Sequence, residues 1–200
     1  MPTKIIFTII SLVFGFALFL PYYINIWKRT AKPHLFSWLT WGILTGLGFI
    51  LSLKGGGDGG AFIFALQSIL CLGIAVYALA KGEKNITRID WVFFVSAMLI
   101  IFIYLFTKNA MLSVFLAATI DALGFLPTFR KSYSKPYDEP ALTYFFSSLS
   151  FLFSLGALQV YSFVTLFYPS ALVVTNIVFV LFLLIRRKSV SLAPAETHYF

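Results

Sequence analysis

The chain has 200 residues, of which 60% are hydrophobic, 19% are aromatic and 11% are charged, and its formal net charge at pH 7 is +8. This composition excludes an ordinary soluble domain and is typical of integral membrane proteins. The positive charge does not indicate nucleic-acid binding, because the basic residues stand in small clusters at the ends of apolar stretches, where membrane orientation and anionic headgroups account for them.

Seven apolar stretches have about the length, roughly 20 residues, that a helix needs to cross a bilayer. In chain order they cover residues 5–26, 35–53, 61–80, 91–107, 110–129, 141–159 and 162–185. The expected fold class is therefore an all-α integral membrane protein with seven transmembrane helices.

The basic residues divide unequally between the two ends of these predicted spans. Lys4, Lys54 and Lys108 fall at one end, and the other Lys and Arg residues fall at the opposite end, three in each connecting segment or tail. Short loops rich in Lys and Arg stay in the cytoplasm. We therefore expect an outside amino terminus, a cytoplasmic tail at 189–200 and, since no sorting signal ends the chain, a multi-pass protein of the plasma or inner membrane.

Comparison of the chain with itself indicates a duplication. FLPYYINIWKRTAKPHLFSW and FLPTFRKSYSKPYDEPALTYF align Pro21 with Pro127 and, after one inserted residue, Pro33 with Pro140. Residues 1–80 and 109–188 are each predicted to form a three-helix bundle, and 81–108 a linker helix. Because three helices and the linker precede the second copy, the bundles are parallel, as in many transporters. The alternative is chance similarity between apolar stretches punctuated by Pro.

This arrangement of three, one and three helices resembles the SWEET and PQ-loop transporter superfamily over nearly the whole chain. The Gln of the PQ motif is absent, because Tyr22 follows Pro21 and Thr128 follows Pro127. The SWLTW segment is also similar to the Trp-rich helices of Pnu-type vitamin carriers. The resemblance implies two bundles that rock around a central site, and it does not carry over a substrate.

Five prolines are predicted hinges. The resemblance implies that Pro21, Pro33, Pro127 and Pro140 are points at which the bundles flex, although Pro33 and Pro140 equally suit the first turn of a helix. Pro169 lies several residues inside the last predicted span and should break or bend it, because proline removes a backbone donor.

Asp121 is the acidic residue about halfway along a predicted span, where a charge costs roughly 2.5–3.5 kcal/mol or more. Ala117, Asp121, Gly124 and Thr128 recur at helical spacing, so they share a face that should point into the bundle. Asp121 is a candidate substrate-binding or proton-carrying group. The alternative is a protonated carboxyl that ties two helices together by a hydrogen bond.

Three further residues are candidate substrate ligands. Gln67 and Asn176 lie in corresponding helices, and amides both donate and accept hydrogen bonds, which suits a polar solute. In SWEET-like transporters Asn residues on these two helices contact substrate, so the resemblance implies the same role. Trp41 offers a ring that can stack on a sugar or aromatic ring. The alternatives are an ordinary interhelical hydrogen bond for the amides and an interfacial anchor for Trp41.

These observations predict a transporter of a small polar solute, such as a sugar, an amino acid or a vitamin-like molecule, working by alternating access as a facilitated or proton-coupled carrier. The alternative is a membrane receptor or sorting protein, as the KDEL receptors are on a similar fold. We expect no enzyme, cofactor or metal site, because no nucleophile with its base appears and His34 and His198 are isolated. The expected partners are the solute and the bilayer, and a homo-oligomer stays open.

Overall fold

The computed structural model describes residues 2–54, 62–107, 109–158 and 161–190, which form helices and connecting turns with no strand. The expected all-α class is confirmed. The helices are α1 (Pro2–Ala17), α2 (Phe19–Trp27), α3 (Leu35–Lys54), α4 (Phe62–Lys81), α5 (Arg88–Phe106), α6 (Ala110–Ser134), α7 (Ala141–Ala157) and α8 (Phe163–Ser189). Lys108, His198 and the Gly-rich segment that begins at Gly55 lie outside the described residues.

Four helical stretches are long and apolar enough to cross a membrane: Thr3–Trp27, Arg88–Phe106, Met111–Ser134 and Thr165–Ser189. The first of them joins α1 and α2. Helices α3, α4 and α7 are also apolar and coincide with predicted spans. The lipid bilayer is therefore the environment that this surface fits, as the composition predicted.

The first predicted span is not one uninterrupted helix. It breaks at Leu18, between α1 and α2. Pro21 explains the break, because it has no N–H to donate to the carbonyl of Ala17 and its ring crowds that carbonyl. Helix α6 continues through Pro127, and α8 continues through Pro169 without an interruption, so of the expected break or bend at Pro169 the break does not occur.

Several helix ends differ from the predicted spans, because a span ends where the apolar residues end, whereas a helix ends where its backbone hydrogen bonds end. Helix α6 continues to Ser134 and α8 to Ser189, each carrying basic residues in its last turn. Such cations interact favourably with the carboxyl end of a helix. Helix α5 begins at Arg88 because Thr87 caps it, with reciprocal hydrogen bonds to Asp90.

The helices pack in an order that follows the duplication. In the first set α3 lies against α4, and in the second set α7 lies against α8. Between the sets, α1 packs on α7 and α3 packs on α6. The contact of α3 with α4 thus corresponds to that of α7 with α8, and the contact of α1 with α7 corresponds to that of α6 with α3. Helix α5, which connects the sets, lies on α6 and also touches α3.

Small residues set the close approach of α3 to α4. A Cβ atom on Gly42 would lie 2.7 Å from Leu72 Cδ2, and one on Gly46 would lie 2.9 Å from Ser68 Oγ. The hydroxyl of Ser68 donates to the carbonyl of Gly42 at 2.8 Å. This pair of glycines four residues apart is the arrangement that membrane helices use for close packing.

Candidate solute cavity

A cavity of about 120 Å³ lies between α2, α3, α4, α6, α7 and α8. The four predicted substrate ligands all line it, although they come from four helices: Trp41 from α3, Gln67 from α4, Asp121 from α6 and Asn176 from α8. The fold therefore brings together four side chains that the sequence separates by as many as 135 positions.

Asp121 reaches the cavity from the buried face of α6. Its side chain is 8% exposed, and Ala117, Gly124 and Thr128 are buried on the same face, as predicted. Within the described part of the chain its carboxyl receives no hydrogen bond and has no basic partner within 4.0 Å. The hydrogen bond between helices that the sequence offered as an alternative is thus not formed by this side chain. An unpaired acid at this depth carries the full cost of its charge.

Aromatic rings form one wall of the cavity. The Trp41 ring centroid lies 5.3 Å from that of Trp38 at an interplanar angle of 88° and 4.8 Å from that of Phe125 at 63°. The indole N–H of Trp38 donates to Tyr22 Oη at 3.0 Å. That of Trp41 points to the backbone carbonyl of Asp121 at 3.5 Å, which is a weak hydrogen bond. Trp41 and its neighbour Trp38 are therefore packed against other side chains inside the bundle.

The two amides differ in how firmly they are held. Asn176 is buried, and its Nδ2 donates to the carbonyl of Leu172 one turn earlier at 2.8 Å. Its Oδ1 and the second N–H of Nδ2 are left for another partner. Gln67 is half-buried on α4. It borders both the cavity and a narrow crevice between α1 and α4.

Five hydroxyl-bearing cavity residues were not predicted as site residues: Thr45, Thr143, Tyr144, Ser147 and Tyr168. Thr143 is 2% exposed, and its Oγ1 is buried with no hydrogen-bond partner among the described residues. The available signal was the spacing of Thr143 and Ser147 on one face of α7, both of which line the cavity. Unpaired buried hydroxyls are rare, so Thr143 marks a point where a ligand atom is expected.

A buried ion pair adjoins the cavity through Tyr144. Glu139 forms a salt bridge with Lys131, and both side chains are almost fully buried. Tyr22 donates to one oxygen of the Glu139 carboxylate at 3.2 Å, and Tyr144, which lines the cavity, donates to the other at 2.8 Å. The Nζ of Lys131 also donates to the carbonyl of Lys32 at 2.5 Å. The cluster therefore joins residues of α2 and the segment after it to the end of α6 and the start of α7.

A second ionic cluster lies beside the first, at the end of α6. Arg130 Nε donates to Asp90 Oδ1 at 2.6 Å, and His34 Nε2 lies 3.6 Å from Asp90 Oδ2. Lys135 donates to Glu83 at 2.8 Å. Burial raises the pKa of Glu83, but hydrogen bonds from Lys135 and from the backbone of Asn85 outweigh it and leave the pKa lowered. These contacts join the segment between α4 and α5 and the first turn of α5 to the end of α6.

The predicted hinge prolines lie away from the cavity lining. Pro33 precedes α3 and Pro140 is the N-cap of α7, so each lies just before a helix and not in its first turn. Pro21 follows the break at Leu18, and Leu18 itself lines the cavity. In the described segments no group of three or more His, Cys, Asp or Glu side chains could hold a metal ion.

Comparison with protein-family models, with curated proteins and with solved structures gives no match for this chain.

Proposed function

We propose that the protein is a membrane transporter that carries a small polar solute by alternating access. In this proposal seven spans form two parallel three-helix bundles joined by α5, with the amino terminus outside and the basic segments in the cytoplasm. The resemblance to SWEET and PQ-loop carriers suggests the mechanism, and the residues that line the cavity suggest the kind of substrate.

The observation that carries the proposal is the convergence of Trp41, Gln67, Asp121 and Asn176 on one cavity. A carboxylate, two amides and an indole in an apolar bundle cost free energy that packing alone does not return. Ligand sites are concave and mostly apolar, with a few polar groups directed to one point. The cavity has this composition.

The duplication provides independent support. Tyr22 and Thr128 each follow the first aligned proline, and Ser37 and Tyr144 each stand four residues after the second. Thr128 Oγ1 donates to Ser37 Oγ at 2.8 Å, and Tyr22 and Tyr144 meet on the Glu139 carboxylate. Corresponding residues thus make corresponding contacts between the two sets. Pseudo-symmetric halves around a central site are the usual plan of a secondary transporter.

In this mechanism the gate is the hydrogen-bonded cluster around Glu139. The contacts among Tyr22, Lys131, Glu139 and Tyr144 join α2, α6 and α7, which belong to different halves. Rocking one half against the other would break them and open the cavity to the cytoplasm. Asp121 would meet the solute or carry a proton, since no phosphate-binding motif provides another energy source.

Cys71 allows a direct test, because it is the one cysteine in the sequence and it lines the cavity. Protein reconstituted in liposomes would be treated with a membrane-impermeant maleimide from one side or the other, with Cys71→Ala as the unlabelled control. A transporter exposes Cys71 to each side in turn, whereas a receptor exposes it to one side. Counterflow of radiolabelled solutes over a broad panel tests transport itself, and labelling from one side with no flux would refute the proposal.

A further inference from the structure

Among the described residues, one acidic side chain and no Lys or Arg line the cavity. The acid is Asp121. The nearest buried lysine, Lys131, is already paired with Glu139 outside the lining. A solute that carries a positive charge would neutralise Asp121, whereas a neutral sugar would leave the carboxylate unpaired and an anion would be repelled.

The walls of the cavity suit the same kind of solute. Trp38, Trp41, Phe125, Tyr144 and Tyr168 all line it. Trp38 and Trp41 stand nearly perpendicular, at 88°, so their rings make a corner instead of a flat stack. Aromatic rings that surround a space attract a cation placed over their faces, within roughly 6 Å of the ring centroid, and the attraction grows when water is absent.

Several polar atoms of the lining can accept hydrogen bonds from a ligand. Asn176 already uses one N–H of Nδ2 on the carbonyl of Leu172, which leaves Oδ1 as its acceptor and the second N–H as a donor. Thr143 Oγ1 is buried and unpartnered among the residues that the structure describes. Together with the carboxylate of Asp121 these atoms offer acceptors from three helices. A protonated amine has N–H donors that match them, whereas a quaternary ammonium has none.

The size of the cavity limits the rest of the ligand. Its volume is about 120 Å³. An apolar cavity of roughly 150 Å³ in another protein holds one benzene molecule. Because the present cavity is somewhat smaller, an amine with one ring fills it, and a larger apolar part is excluded.

We propose that the substrate class of this cavity is small protonated amines, held by the carboxylate of Asp121 inside a corner of aromatic rings, with Asn176 and Thr143 accepting the remaining N–H groups. This inference rests on the proposed transport function for its physiological meaning, but binding can be measured without transport.

The test compares three ligands of one shape and different charge on the full chain in detergent micelles. Benzylammonium, benzyl alcohol and benzoate are titrated by isothermal calorimetry. Benzylammonium is expected to bind the most tightly and benzoate not at all. Asp121→Asn should weaken benzylammonium roughly 10- to 100-fold, the factor of a hydrogen bond to a charged group, and Thr143→Val about two- to tenfold. Thr119→Val, on the exposed side of α6, is the matched control and should change nothing.

The two proposals fail in different ways. Equal affinity for benzyl alcohol and benzylammonium, unchanged affinity in Asp121→Asn or no binding of benzylammonium would overturn the amine assignment, even if another solute were transported. Binding that depends on Asp121, without flux of any amine across liposomes, would support the amine assignment and count against transport. Thermal melting of each variant shows whether it is folded, and Thr143→Val keeps the test decisive if Asp121→Asn does not fold.

Discussion

Tyr22 on α2 and Tyr144 on α7 donate hydrogen bonds to the two different oxygens of the same carboxylate, that of Glu139. The two helices belong to different halves of the duplicated sequence, so one side chain fixes their relative position. Lys131 from α6 neutralises the carboxylate. The cluster therefore has a structural role, which is to hold the halves together, and in the proposed mechanism it also closes the cytoplasmic gate.

The first prediction concerns Glu139→Gln. The substitution leaves the Lys131 ammonium buried without its counter-ion, and breaking a buried pair from one side costs roughly 3–5 kcal/mol. We expect the free energy of unfolding to fall by about 3 kcal/mol, measured by thermal or denaturant unfolding in detergent. Labelling of Cys71 from the cytoplasmic side should become faster, because the gate opens more often.

The double variant Glu139→Gln with Lys131→Met provides the control. It removes both charges but keeps an amide for Tyr22 and Tyr144, so most of the lost stability should return. Lys135→Gln removes the half-exposed cation from Glu83, whose carboxylate keeps a hydrogen bond from the backbone of Asn85, so it should cost less than Glu139→Gln. If Glu139→Gln were as stable as the wild type, the cluster would not hold the halves together.

The second prediction is that Asp121→Asn stabilises the protein while it weakens amine binding. A single unpaired charge in a membrane bundle costs roughly 2.5–3.5 kcal/mol, and Asn keeps the shape without the charge. We expect the free energy of unfolding to rise by up to about 3 kcal/mol, seen as a higher melting temperature in detergent. A lower melting temperature would mean that the carboxyl holds two helices together.

Much of the fold could be predicted, because the signals were local. Long apolar runs place the helices, and the small residues Gly42 and Gly46 indicate the close contact with α4 that the structure contains. The pairings at the basic end could not be predicted. Glu83, Asp90 and Glu139 looked like ordinary acids between helices, because their partners lie on segments that only packing brings near.

The same distinction applies to the cavity. Asp121 was visible because a charge within an apolar stretch is expensive, and Trp41 because indoles are large and polar at one edge. Thr143 and Tyr168 were missed because a single hydroxyl in an apolar helix is common and usually bonds to its own backbone. Only the three-dimensional arrangement shows that Thr143 Oγ1 lacks such a partner.

The third prediction concerns Gly124, which makes room for the indole of Trp41. A Cβ atom there would lie 2.9 Å from Trp41 Nε1 and 3.3 Å from Thr40 Cγ2. The ring cannot move freely, because it is packed against Trp38 and Phe125. Gly124→Ala should therefore displace the cavity wall at a cost of roughly 1–3 kcal/mol and lower benzylammonium affinity.

Gly15→Ala is the matched control, since Gly15 lies at the contact of α1 with α7, which corresponds to the contact of α6 with α3. A Cβ atom on Gly15 would meet only the Ser150 hydroxyl, at 3.2 Å. Calorimetric affinity and the melting temperature of both variants check the prediction. Equal loss of affinity in the two would show that helix packing in general, and not the position of Trp41, controls binding.

The last prediction concerns His34, which lies between α2 and α3 with its ring fully buried. Burial lowers the pKa of His34 from 6.5 to about 4. The nearby Asp90 carboxylate raises the pKa, but the positive charges of Lys131 and Arg130 offset part of that effect. Between these two pH values the unfolded chain binds a proton that the folded protein does not. Stability is therefore greatest above pH 6.5 and falls as the pH is lowered toward 4.

The size of this effect follows from the shift, since each pKa unit corresponds to about 1.4 kcal/mol, which gives a loss on the order of 3 kcal/mol across the window. His34→Gln removes the titrating group, so its melting temperature should fall less between pH 6.5 and 4 than that of the wild type. Glu83 does not confuse the comparison, because its hydrogen bonds with Lys135 and Asn85 keep its pKa low and place its loss at more acidic pH. Parallel melting curves of the two proteins over this range would contradict a neutral, buried His34.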